Sequence, residues 1–145
     1  MWDEQDVAIV PITWLKPHEE VHPRKLRDLL HMSEKWQAIR SPILVDKNTG
    51  VILDGHHRHA AAQRLELDFV PVIAIDYLLE DSCSVEPRQG KGLTSITKKQ
   101  VIEVGLSEEN LPCKSTKHHW ADELPVIWQS FESLRNTDLN SLSGC

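Results

Sequence analysis

No stretch of the 145-residue chain is apolar for long enough to cross a bilayer as a helix, which takes about 20 residues. A basic surplus is also missing: 16 Lys and Arg face 22 Asp and Glu, a formal net charge of −6. That balance argues against a general nucleic-acid binder. Neither a membrane nor nucleic acid is an expected partner. The start, Met-Trp-Asp-Glu-Gln-Asp, is acidic and has no apolar signal-peptide core, so a soluble cytoplasmic protein is expected. The three cysteines, Cys83, Cys113 and Cys145, are far apart and form no Cys-x-x-Cys pair. This excludes a disulfide framework and a cysteine zinc motif. Internal repeats and low-complexity tracts are absent. So are the Gly-Lys-Ser/Thr phosphate loop and the protein-kinase signatures.

What is present suits one domain over residues 1–145 with a real core and a frayed polar tail at 136–145. Val7–Leu15 is β-prone, with Pro11 at a bend or edge. Pro23 opens a helix carrying Leu26, Leu29 and Leu30, a stripe that Trp36 and Ile39 extend. Ile43–Val45 and Val51–Leu53 form a hairpin around Asn48-Thr49-Gly50. An alanine-rich helix follows Arg58, and Phe69–Ile75 is a further strand. Glu80–Gly92 reads as a mobile loop. Thr97 caps a helix with Val101, Ile102 and Val104, and Gly105 is read as its C′ residue. Residues 111–120 read as irregular. Leu124, Ile127, Phe131 and Leu134 recur at helical spacing, predicting a closing amphipathic helix.

Three segments carry reactive side chains. The first is Asp54-Gly55-His56-His57-Arg58, a strand end running through a glycine into a helix. Free N–H groups and the positive end of the helix dipole make such a turn an anion site. Gly55 permits a close approach, while His56, His57 and Arg58 add donors. Asp54 would repel a phosphate, so it suits a Mg2+ ligand or a group that positions a nucleophile. The plainer alternative makes Asp54 a helix cap and leaves the histidines solvated. The second segment, Pro17-His18-Glu19-Glu20, offers a carboxylate that could take a proton, or is simply an acidic loop. The third, Ser115-Thr116-Lys117-His118, is either an anion cradle or a basic surface loop. Adjacent histidines at a helix start are poorly placed to converge on zinc. Together the three supply what phosphoryl transfer needs: a phosphate cradle, a base and charge neutralisation.

With these motifs in hand, the chain resembles the ParB/sulfiredoxin superfamily from Val7 to about Trp120. It is most similar to the free serine kinases. The carrying pieces are Leu15–Glu20, Pro42–Asp46, Leu53–Arg58, Val70–Val72 and Lys114–His118. The resemblance implies a mixed α/β (α+β) fold, a small mixed sheet with flanking helices. It implies nucleotide phosphates on Gly55, His56, His57 and Arg58. It also implies catalysis by Glu19 as base together with Asp54, and L-serine contacts from Thr116, Lys117 and His118. The phosphoryl donor that it implies is ATP or ADP, and Mg2+ is the expected cofactor. Sulfiredoxin-type reduction needs a cysteine where this chain has His56. A ParB-type DNA-binding protein needs a helix-turn-helix, for which little chain remains after Val72. A non-catalytic, ParB-like nucleotide-binding regulatory or DNA-associated module is the alternative to the kinase.

Overall fold

The computed structural model describes residues 2–88, 93, 95–107, 110–111, 115–120 and 124–135. Strand β1 (Ala8–Pro11) passes through a 3-10 turn at Ile12–Trp14 and a loop into α1 (Pro23–Trp36) and β2 (Ala38–Ile39). Then come β3 (Ile43–Asp46), β4 (Ile52–Asp54), α2 (His56–Arg64) and β5 (Phe69–Ile75). The described remainder is β6 (Cys83–Pro87), α3 (Lys98–Leu106), β7 (Thr116–Trp120), β8 (Gln129–Ser130) and α4 (Phe131–Leu134). The fold is the expected mixed α/β arrangement.

The main sheet has the order β1-β5-β3-β4. β3 runs parallel to β5 and antiparallel to β4, and β1 closes one edge antiparallel to β5. All four residues of β3 are buried. A continuous apolar run is what a strand covered on both faces requires. Ile43 and Val45 point to one side, into a cluster with Ile52, Val72, Ala62, Phe131 and Leu134. Leu44 points to the other, with Val51, Leu53, Ile73, Tyr77, Val101 and Ile102. Burying each such side chain is worth about 1.5–3 kcal/mol. Gly50, at φ +79°, closes the β3–β4 turn, and a Cβ there would lie 2.3 Å from the Trp14 carbonyl oxygen.

Helix α1 begins with Pro23 at its first turn and ends where Gln37 turns left-handed, so Ile39 belongs to β2 and not to the helix. Other expectations need correction. The segment read as a mobile loop contains β6, and the segment read as irregular contains β7. The two pair antiparallel from Cys83↔Trp120 to Pro87↔Thr116. Alternation was hidden because the inward residues of β7 are Thr116, His118 and Trp120, which wall the cleft, and of the three only Trp120 also packs on an apolar cluster. Gly105 lies inside α3, with Ser107 as the C-cap, and packs against Val51. The closing helix shrinks to Phe131–Leu134, capped by Ser130. Pro125 disfavours helix at Leu124, and Gln129–Ser130 pairs with Ala38–Ile39 instead. The tail at 136–145, Cys113, Cys145 and Lys114 lie outside the described residues.

Candidate functional site

The site begins where β4 ends. Asp54 is its last residue, and Gly55 follows at φ +107° as the N-cap of α2, with no side chain capping the helix. The capping role considered for Asp54 is therefore not realised. The guanidinium of Arg58 folds back over the turn: a Cβ on Gly55 would meet Arg58 Nη1 at 2.9 Å and Ile43 at 3.3 Å. Arg58 Nη1 donates to the Pro42 carbonyl at 3.4 Å. Burial lowers its pKa, and the Asp54 carboxylate acts in the opposite direction.

A second segment is strapped alongside. Lys16 N–H donates to Gly50 O and Ile52 N–H donates to Lys16 O, which lays residues 16–18 beside the start of β4. Further on, Leu111 N–H donates to His18 O and Glu20 N–H to Leu111 O, so Glu19 is gripped between two backbone bonds. The Glu19 carboxylate is 11% exposed. Its Oε1 accepts from the amide of Thr116 at 2.8 Å and from the Thr116 hydroxyl at 3.0 Å. Its Oε2 faces His56 Nδ1 at 3.7 Å. Of the two glutamates left open by the sequence, Glu19 is the one fixed in place by β7.

His18, His56 and His59 are buried, and His57 is half-buried. His18 is fully buried, and His56 and His59 are 7% and 5% exposed. His18 Nδ1 lies 2.7 Å from the Ile52 carbonyl, which can only accept, so Nδ1 carries the proton. The His18 amide donates to His56 Nε2 at 3.1 Å, and the His22 amide donates to His57 Nε2 at 2.9 Å. His56 and His57 therefore brace the Glu19 loop through Nε2, which leaves the ring proton of each on Nδ1. Burial pushes His18 and His59 down to about 4 and His118 to about 3. His56 is lowered by burial and by its histidine neighbours. The Tyr77 phenol, held in its protonated form by burial, lies 2.7 Å from His118 Nε2, within hydrogen-bond reach.

His18, Glu19 and His56 bring ligand atoms within 4.8 Å of one another. They do not suit a transition metal. With Nε2 of His56 accepting an amide proton, its Nδ1 must keep a proton and has no lone pair for a metal. Asp54 offers a hard oxygen at the cleft, which suits Mg2+ completed by phosphate oxygens and water.

Glu19, Asp54, Gly55, His56, His57, Arg58, Thr116 and His118 all line one cleft of about 300 Å³. Lys117 does not join them. Side chains alternate along β7, so Lys117 is exposed on the opposite face, across from Glu86. Sequence reading missed Arg88, Leu29 and Trp120, which also line the cleft. Arg88 donates from Nε to Thr116 O and is placed by the β6–β7 ladder. No local motif marks it. A second, apolar cavity of about 220 Å³ adjoins the cleft and shares Leu29 and Arg58 with it, bounded by Trp36, Ile39 and Ala61. Cys83 is buried and its thiol is pushed up to about 11, which suits packing and not nucleophilic chemistry.

No protein-family profile matches the chain. In sequence it is 43% identical over 75 residues to a ParB-like protein of Sulfolobus acidocaldarius, covering 52% of this chain and 36% of that protein. It is 36% identical over 78 residues to an ATP-dependent L-serine kinase of Staphylothermus marinus, covering 51% and 31%. An ADP-dependent L-serine kinase of Thermococcus kodakarensis is 29% identical over 80 residues, covering 52% and 33%. The match thus spans about half of this chain and about a third of each relative. In fold, the chain superimposes on a free serine kinase in complex with AMP at a TM-score of 0.78, with 17% identity, covering 89% of this chain and 93% of that one. SbnI of Staphylococcus aureus, truncated at its C-terminus, gives 0.77 with 16% identity, covering 97% and 94%. The resemblance to ParB-like proteins and serine kinases read from the motifs thus stands. The fold is that of a free serine kinase.

Proposed function

We propose that this protein transfers a phosphoryl group from ATP or ADP to the hydroxyl of free L-serine, giving O-phosphoserine. The observation that carries the reading is the pairing in one cleft of a fixed carboxylate, Glu19, with an uncapped helix start at Gly55. Phosphoryl transfer asks for little covalent chemistry from the protein, so position and charge do most of the work.

The amides at the start of α2, with Arg58, His56 and His57, hold the nucleotide phosphates. The adjoining apolar cavity suits the base. Asp54 is the residue to hold Mg2+, which would neutralise charge on the transferring group. Glu19 Oε2 accepts the serine hydroxyl proton. Arg88, and not Lys117, supplies a fixed cation at the cleft, and His118 faces the same space. Similarity to L-serine kinases supports the substrate, and solved serine kinases with AMP or ADP support the donor class.

The test is incubation with Mg2+, L-serine and either ATP or ADP, with O-phosphoserine measured by mass. Product is expected with at least one donor. Glu19→Gln should lower turnover by 100-fold or more, on the order of what a positioned base contributes, while nucleotide affinity is kept. Nucleotide binding without product from either donor would favour the second reading, a regulatory nucleotide-binding module. The similarity to a ParB-like protein keeps that reading in play.

A further inference from the structure

We infer that the Thr116 hydroxyl is a two-position switch between Glu19 and His18 that sets how readily Glu19 holds a proton. For its catalytic meaning this rests on Glu19 being the base, and it assigns Thr116 and His18 as positioning residues for it.

The hydroxyl has one proton and two acceptors in reach. Glu19 Oε1 lies at 3.0 Å and His18 Nε2 at 3.2 Å. His18 Nε2 must be an acceptor, because Nδ1 carries the ring proton toward the Ile52 carbonyl. Oε1 also has the Thr116 amide at 2.8 Å, a donor that stays in place in either state. While Glu19 is ionised, the carboxylate is the stronger acceptor and takes the hydroxyl proton. Once Oε2 has accepted the substrate proton, the charge is gone and Oε1 is a weak acceptor. The hydroxyl then turns to His18 Nε2. The serine O–H bond breaks toward Oε2 as the serine O–P bond forms and the terminal P–O bond of the donor breaks, the bridging oxygen and its electron pair leaving with ADP (from ATP) or AMP (from ADP), and the proton stays on Oε2 until solvent removes it. The Thr116 proton never leaves Thr116, and His18 stays neutral throughout.

Without His18, protonating Glu19 would leave the hydroxyl of Thr116, a residue 5% exposed, with a poor partner, and burial makes that costly. With His18 opposite, the hydroxyl is bonded in both states. Among the described residues, the titratable groups facing the pair include His56 from α2, with rings 4.6 Å apart from His18, and His118 from β7 at 6.1 Å. Arg88, at the end of β6, bonds the Thr116 carbonyl. Burial keeps these three imidazoles neutral near pH 7.

The experiment reads the His18 Nε2 nitrogen by NMR in the full chain at pH 7, with neither nucleotide nor serine present. Its failure is therefore separable from failure of the kinase assignment. Glu19→Gln mimics the uncharged state, so its His18 Nε2 resonance should move in the direction of an accepted hydrogen bond. Thr116→Ser should preserve that response to Glu19→Gln, and Thr116→Val should abolish it. In turnover, Thr116→Val should move the acid limb of kcat/KM up by about one pH unit, since a lost hydrogen bond to the carboxylate raises its pKa. Thr116→Ser should restore the native limb. An unchanged His18 Nε2 in Glu19→Gln, or an equal response in the Thr116→Val background, would overturn the switch. Should Thr116→Val fail to fold, Thr116→Ala, which also lacks the hydroxyl, takes its place in the same comparison.

Discussion

Gly55 is the residue on which the cleft turns. Its φ of +107° lies where a side chain is strained, and a Cβ would press on Arg58 Nη1 and Ile43. Gly55→Ala should therefore cost about 1–2 kcal/mol in backbone strain and displace the guanidinium from the phosphate turn. A lower melting temperature and a tenfold or greater loss of ADP affinity by calorimetric titration are the expected outcomes. Unchanged affinity would mean that Arg58 does not serve the nucleotide. This turn was legible in the sequence because glycine, acid and histidines are adjacent in the chain. Arg88 was not, because its place depends on pairing with a strand some 30 residues away. Lys117 misled for a related reason: a Thr-Lys-His triplet on a strand sends its middle residue to the opposite face.

Among the elements, those with apolar periodicity were readable, and the β6–β7 pair that walls one side of the cleft was not. β3, β4 and β5 announce themselves through Ile, Leu and Val, and α3 through its Thr97–Gln100 capping box. β7 carries Thr, His and Trp inward and so shows no apolar alternation, and β6 was lost with it. Gly105 shows a glycine whose function is packing and not termination. A Cβ there would lie 2.6 Å from Val51 Cγ1 and 3.2 Å from Val51 Cβ, and Val51 is fully buried. Alanine is favoured over glycine in a helix by about 1 kcal/mol. Overpacking a core typically costs about 1–3 kcal/mol. Gly105→Ala should be net destabilising, measured as a lower urea midpoint. Because Val51 is the atom group in the way, Gly105→Ala combined with Val51→Ala should lose less than the two single changes together. Strict additivity in that cycle would show that α3 does not rest on β4 through this contact.

For the whole molecule, the consequence of building a cleft wall from buried imidazoles is a stability that depends steeply on pH. His18 and His59 are held at about 4 and His118 at about 3, and His56 is also lowered, all chiefly by burial. In the unfolded chain each returns to about 6.5. Above that value both states hold neutral imidazoles and the four contribute no pH dependence. As the pH falls from about 6.5 toward 4, the unfolded chain takes up protons that the folded protein refuses, and stability is lost. The slope approaches about 1.4 kcal/mol per pH unit for each histidine that is protonated only when unfolded. Acid unfolding should accordingly begin near pH 6, before the ordinary carboxylate range. Urea midpoints measured from pH 7.5 to 4.5 should be level down to about 6.5 and then fall steeply. His59 is the informative residue to remove, since it is buried on α2 but does not line the cleft. His59→Asn should reduce the slope between pH 6.5 and 4.5 by roughly a quarter. A midpoint that stays level to pH 4.5 would mean that the imidazoles accept protons in the folded state. The cleft would then be positively charged in mild acid, and nucleotide affinity should rise as pH falls over the same interval, a result that calorimetric titration at pH 7.5 and 5.5 would expose.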